Sequence, residues 1–222
     1  IGIMVMIAGI LSISTVALGF GNYLAELINK NVVLIAISLI LVCALINYYS
    51  IKKVSKINEI TTLIQVIGLF IIIFLGFRFF GKVNYFEMPH GFNGVLQASA
   101  LIFFAYVGFE NIVKFEEETK NPRKNIPKAI IISILISSII YILVALAAVS
   151  VLSWQEIGKS NAPIALIAFN EFGNSALTLM TIIALIAMGS TVLILLFTNS
   201  RLLYGMAEEK SLPRIFYLVD HK

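Results

Sequence analysis

The chain has 222 residues, 59% of them hydrophobic and only 13% charged, with a mean hydropathy of +0.98. A soluble domain carries roughly 25% charged residues, so the composition leaves too little polar surface for a soluble globule and points to a multi-spanning membrane protein. The net charge of +4 sits between apolar runs and forms no stripe, which argues against a nucleic-acid partner, and a single cysteine, Cys43, allows neither a disulfide framework nor a cysteine metal site.

The first apolar run, residues 1–20, has no basic region ahead of it and no small-residue cleavage site behind it, so it is not a signal peptide. It reads as a helix already under way at Ile1, and a preceding part is expected. A spanning helix needs about 20 mostly apolar residues. Further runs of this kind occupy about 32–49, 59–78, 93–113, 129–152 and 175–200, giving six candidate transmembrane segments in one transmembrane domain over 1–222. None alternates with period two, which argues against a β-barrel. Backbone groups in lipid must be satisfied internally, so the expected class is all-α and polytopic. Between the last two segments, NAPIALIAFNEF is apolar but too short to span, and a re-entrant or interfacial helix is expected over about 161–172.

Six passes alternate the links between two sides. One side collects Lys52, Lys53, Lys56, Lys114, Lys120, Arg123, Lys124, Lys128, Arg201, Lys210, Arg214 and Lys222; the other has Lys30, Arg78, Lys82 and Lys159. The richer side is expected to be cytoplasmic, which places loops 50–58, 114–128 and 201–222 there. The loop KFEEETKNPRKNIPK, residues 114–128, is charged enough to be solvated and to touch anionic headgroups. Asn121-Pro122 breaks helix geometry in it, and Pro127 is expected in the first turn of the fifth segment.

The fourth segment carries FFAYVGFE, Phe103 to Glu110. A glycine among large aromatics, Gly108, lets the backbone leave the helix or lets another backbone approach. If the helix opens there, freed amides and carbonyls face a cavity, with Phe104, Tyr106 and Phe109 able to gate it. The alternative is aromatic packing around a small-residue contact. Glu110 lies in the inner half of the segment and either binds a proton or caps an opened helix end. Gln65, among apolar residues of the third segment, needs hydrogen-bond partners, and an interhelical bond is its ordinary role. Ser190 and Thr191 in the sixth segment either bond back to their own helix or face a cation or substrate path.

Catalytic chemistry finds no support. The histidines, His90 and His221, lie outside the apolar runs, GFENIVKF lacks the lysine and serine of a phosphate-binding loop, and no nucleophile elbow is present. No enzyme activity, cofactor or metal is expected.

Three stretches taken in order resemble a known family. FFAYVGFENIVKFEEETKNPRKNIPKAI, Phe103 to Ile130, resembles the sixth helix and following cytoplasmic loop of amino-acid permeases of the amino acid–polyamine–organocation superfamily. NAPIALIAF resembles the outer loop before their eighth helix, and NSRLLYGMAEEKSLP, Asn199 to Pro213, the cytoplasmic end of that helix. The resemblance covers essentially the whole chain and makes the six segments the family's third to eighth helices.

It implies two inverted five-helix repeats and a mid-membrane site at a broken helix, here near 106–110. Phe104 would then be an aromatic gate, with Ala105, Tyr106, Val107 and Gly108 against the substrate. Gln65 would stand where proton-coupled members carry a lysine, Glu110 would remain a coupling candidate, and Ser190 and Thr191 would match hydroxyls near a sodium-like site. A neutral amide at Gln65 speaks against lysine-type proton coupling. Ala8, where members for cationic amino acids carry an acid, speaks for a neutral substrate. Lys210-Ser211 stands where the family usually has glycine before leucine-proline. The family's first two helices, with the other half of its site, have no counterpart in the chain.

The implied function is secondary transport of amino acids or related amines across the cytoplasmic membrane by alternating access, through symport or exchange, with this stretch inactive alone. The expected partners are a small neutral amino acid, a coupling ion that is either proton or sodium, and the lipid bilayer. The alternatives are an ion transporter on the same fold, for example for potassium, and a non-transport scaffold or sensor subunit, for which the fourth helix would be unbroken.

Overall fold

A computed structural model describes residues 2–49, 51–106, 108, 112 and 119–213. All regular structure among these residues is helical: α1 (Gly2–Ile28), α2 (Val32–Tyr49), α3 (Ile51–Phe77), α4 (Gly91–Phe103), a 3₁₀ turn (Phe104–Tyr106), α5 (Pro122–Val151), α6 (Trp154–Lys159), α7 (Pro163–Phe172) and α8 (Asn174–Glu208). Among the described residues, four stretches are long and apolar enough to cross a membrane, Gly2–Ala25, Lys56–Phe77, Pro122–Val151 and Asn174–Glu208. The 18 residues of α2 reach ~27 Å at ~1.5 Å each, close to the hydrocarbon thickness.

Local chemistry sets the ends. Asn29 stops α1 in the left-handed region at φ 54, a conformation asparagine tolerates better than most residues. Two residues on, Asn31 starts α2: its side-chain oxygen accepts from the Val33 N–H at 2.9 Å, satisfying a first-turn donor. Ser153 and Glu156 form a reciprocal cap on α6, with the Ser153 N–H on Glu156 Oε2 at 3.0 Å. Gly173, at φ 71 and ψ −158, makes the corner between α7 and α8 in a conformation essentially reserved for glycine. Pro122, not Pro127, occupies the first turn of α5; Pro127 lies inside the helix. The αL residue Asn121, just before Pro122, already ends the preceding chain, so the helix starts a turn and a half earlier than the second X-Pro pair suggests.

The chain groups into two compact units, Ile1–Phe70 with Lys159–Lys222, and Ile71–Gly158. In the first, α1, α2 and α8 pack on one another, and Ile13, Ala17, Ala36, Cys43, Val192 and Leu193 form their buried cluster. Lipid tails are as apolar as leucine, so close packing rather than hydrophobic transfer drives such contacts. Gly9 shows how close: a Cβ there would run into the side-chain amide of Asn199 on α8. α2 adds two polar ties to α8, Cys43 Sγ to the Gly189 carbonyl at 3.9 Å and Asn47 Nδ2 to the Leu193 carbonyl at 3.1 Å. In the second unit, the end of α3 meets α5 at Gly76, where a Cβ would collide with Ala147. Tyr85 ties the following loop to α5 through a 2.7 Å hydrogen bond with Ser150.

Candidate functional site

The fourth segment does not continue as an α-helix. α4 ends at Phe103, the chain tightens into a 3₁₀ turn over Phe104–Tyr106, and Gly108 sits at φ 124, where side-chain-bearing residues rarely go. Val107, Phe109 and Glu110 lie outside the described residues. The glycine thus takes the backbone role that its position among aromatics suggests, and α4 is interrupted where an unbroken helix would have favoured a scaffold.

α5 lies against this interruption. Tyr141 donates from its hydroxyl to the Ala105 carbonyl at 3.2 Å. Tyr106 donates to Ser138 Oγ at 2.9 Å, and the Ser138 hydroxyl donates in turn to the Ile134 carbonyl at 2.8 Å. The two tyrosine rings meet edge to face with centroids 5.5 Å apart, a favoured aromatic geometry. Together they border a pocket of about 230 Å³ lined by Ala105, Tyr106, Gly108 and Ile112 and, from α5, by Ser133, Ile134, Ser137 and Tyr141. Among the described residues, its walls mix apolar side chains with hydroxyls and are uncharged, which suits a small, neutral, partly polar group. Of the residues expected here, Ala105, Tyr106 and Gly108 line the pocket; Phe104 begins the 3₁₀ turn, is 44% exposed and is not among the lining residues.

Three of the coupling candidates, Gln65, Ser190 and Thr191, lie in the other unit. Gln65 Nε2 donates to Ser190 Oγ at 2.7 Å, joining the middle of α3 to the middle of α8. Ser190, buried, donates in turn to the Ala187 carbonyl at 3.0 Å. Thr191 donates to that same carbonyl at 2.9 Å, the back-bond expected of a hydroxyl inside a membrane helix. Gln65 also borders a mostly apolar pocket of about 260 Å³, with Tyr23, Gly68, Ile164 and Met180 among its walls. Among the described residues, no three His, Cys, Asp or Glu side chains come together as a metal cluster.

The sequence reading missed the contribution of α5. Ser133, Ser137 and Tyr141 are spaced four apart, which puts them on one helix face. That spacing was the available signal, hidden in an otherwise apolar run.

The whole chain, residues 1–222, matches the amino acid permease family. The chain belongs to that family. It is 29% identical over 167 residues to the branched-chain amino acid permease BcaP of Bacillus subtilis, covering 75% of this chain and 36% of the relative. It is 31% identical over 191 residues to the BcaP permease of Lactococcus lactis, covering 82% and 41%. A protein of undefined role from Methanocaldococcus jannaschii, MJ0609, is 29% identical over 224 aligned positions, covering 97% and 52%. The chain thus spans between about a third and about half of the length of these relatives. As a member of the amino acid permease family with long apolar helices, it is a multi-pass protein of the cell membrane.

Proposed function

We propose that this chain forms part of a secondary transporter for neutral amino acids, with ligand bound at the interrupted end of α4. The observation that carries the reading is the break itself: a mid-segment glycine at φ 124 beside a pocket walled by Ala105, Tyr106 and Gly108. Broken membrane helices offer backbone polar groups to zwitterions without placing a fixed charge in lipid. The described residues of that pocket's lining are uncharged, which supports a substrate with a neutral side chain. Two of the permeases that the chain resembles are named for branched-chain amino acids, so leucine, isoleucine and valine are the first substrates to test.

Transport proceeds by alternating access, as symport or exchange. The amide of Gln65 does not titrate near neutral pH, so it does not itself carry a coupling proton. The basic loops 50–58, 114–128 and 201–222 face the cytoplasm in this reading.

The test is uptake of radiolabelled leucine by cells or proteoliposomes carrying the native gene product. The expected result is saturable uptake competed by unlabelled isoleucine and valine and unaffected by excess potassium. Uptake of a potassium tracer that amino acids do not affect, with no leucine uptake, would replace this reading with that of an ion transporter.

A further inference from the structure

Two consecutive residues at the break, Ala105 and Tyr106, are each held by a different hydroxyl bond to α5. The Tyr141 hydroxyl donates a hydrogen bond to the Ala105 carbonyl, and Ser138 Oγ accepts one from the Tyr106 hydroxyl. Ser138 and Tyr141 are three apart, on one face of α5, so a single helical turn makes both ties. Both tied residues also line the pocket, as does Tyr141 itself. What α5 fixes is therefore the pocket wall, not a distant part of the helix.

The Ala105 carbonyl lies just ahead of Gly108, whose φ of 124 takes the chain out of helical geometry. The last carbonyls of a helix have no partner within it and are met by a donor from outside, a side chain, water or ligand. The Tyr141 hydroxyl is that donor. It is neutral, and its ring is oriented by the edge contact with Tyr106. Losing it would free the carbonyl to turn, and the wall that meets ligand would turn with it.

We propose that Tyr141 is a positioning residue of the ligand site: by holding the Ala105 carbonyl it sets the backbone at the end of α4 in the geometry that receives substrate. This rests on the reading that an amino acid binds at the break. Ser138, through Tyr106, is the second tie of the same device.

Two measurements on the native gene product test it. In a Cys43→Ala, Ala105→Cys background, the rate of labelling at position 105 by a small maleimide reports freedom at the break and needs no substrate. Tyr141→Phe, which keeps the ring, should raise that rate severalfold. In the protein with its own Cys43 and Ala105, Tyr141→Phe should raise the KM for leucine about three- to tenfold, the loss of one hydrogen bond, with the maximal rate and surface amount within about twofold. Ser138→Ala should move KM in the same direction. Tyr85→Phe, which cuts the Tyr85–Ser150 tie, should move neither quantity.

Unchanged labelling or unchanged KM in Tyr141→Phe, in a wild type that does take up leucine, overturns the positioning role alone. A maximal rate and surface amount that fall together with KM constant also overturn it, because that is the mark of a merely structural tyrosine. A wild type that takes up no amino acid overturns the transport reading itself, whatever the labelling shows.

Discussion

Gln65 and Ser190 are 125 residues apart in the chain and are joined by a 2.7 Å hydrogen bond across α3 and α8. The amide donates to a buried hydroxyl that has already spent its own proton on the Ala187 carbonyl. The result is a directed chain, amide to hydroxyl to backbone, at mid-span of two helices. Such a chain fixes the side-chain amide's orientation and leaves its oxygen for another partner.

The pair is expected to be a modest stabiliser. Interhelical hydrogen bonds in membranes average about 0.6 kcal/mol by double-mutant cycle and reach about 1.7 kcal/mol. Gln65→Leu, Ser190→Ala and the double variant, compared by thermal unfolding in detergent, should give a coupling energy of about 0.5–1.5 kcal/mol. Ser190→Ala should cost more than Gln65→Leu, because it leaves the amide without its acceptor, whereas Gln65→Leu leaves Ser190 bonded to Ala187. Strict additivity would mean that the two side chains do not share a bond in the working protein.

Replacing the amide by a titratable group tests the same place for coupling. Gln65→Lys puts an amine beside the Ser190 hydroxyl, in apolar surroundings that favour its neutral form and lower its pKa. The variant's leucine uptake is expected to vary with external pH between about 5 and 9, a range in which the wild-type amide has nothing to titrate. Parallel pH profiles for the two proteins would show that position 65 is only a structural contact.

The helices were legible because lipid demands them: each long apolar run has no other way to satisfy its backbone, and polar links mark where runs stop. The break in α4 was only half legible: glycine between Tyr106 and Phe109 fits an opened helix or a close small-residue contact equally well, and its φ of 124 decides between them. What could not be read was pairing. Nothing in TTLIQVIGL says that Gln65 reaches Ser190 rather than another helix. Tyr141, in an apolar run, reads as core or interfacial aromatic until its hydroxyl is seen on the Ala105 carbonyl. Pro127 drew the start of α5 because both X-Pro pairs carry the same local signal, and the choice between them lies in Asn121 adopting φ 50.

Gly108 gives a sharper test of the site than any aromatic around it. At φ 124 a Cβ is strained whatever space surrounds it, by an amount on the order of 1–3 kcal/mol. Gly108→Ala should therefore lower affinity for leucine by roughly tenfold or more, and Gly108→Leu should abolish saturable binding, with both variants still reaching the membrane. Scintillation proximity binding on purified protein separates the two readouts. Wild-type affinity in Gly108→Leu would remove the glycine from the site.

The end of α8 offers a prediction of opposite sign. The Ser211 N–H bonds to the Met206 carbonyl at 2.9 Å and the Lys210 N–H to the Ala207 carbonyl at 3.1 Å, the paired 6→1 and 5→2 bonds of a Schellman stop. That motif requires a left-handed residue at the position after the cap, and Lys210 supplies it at φ 60. Lysine takes this conformation at a cost of about 1 kcal/mol that glycine avoids. Lys210→Gly is thus expected to raise stability by up to about 1 kcal/mol, partly offset by the greater freedom of glycine in the unfolded chain. Its thermal midpoint in detergent should rise or hold, with leucine affinity unchanged. Lys210→Val, β-branched and intolerant of positive φ, should fall below wild type. A glycine variant less stable than the valine variant would mean that the Lys210 side chain, not its backbone, anchors this end of α8.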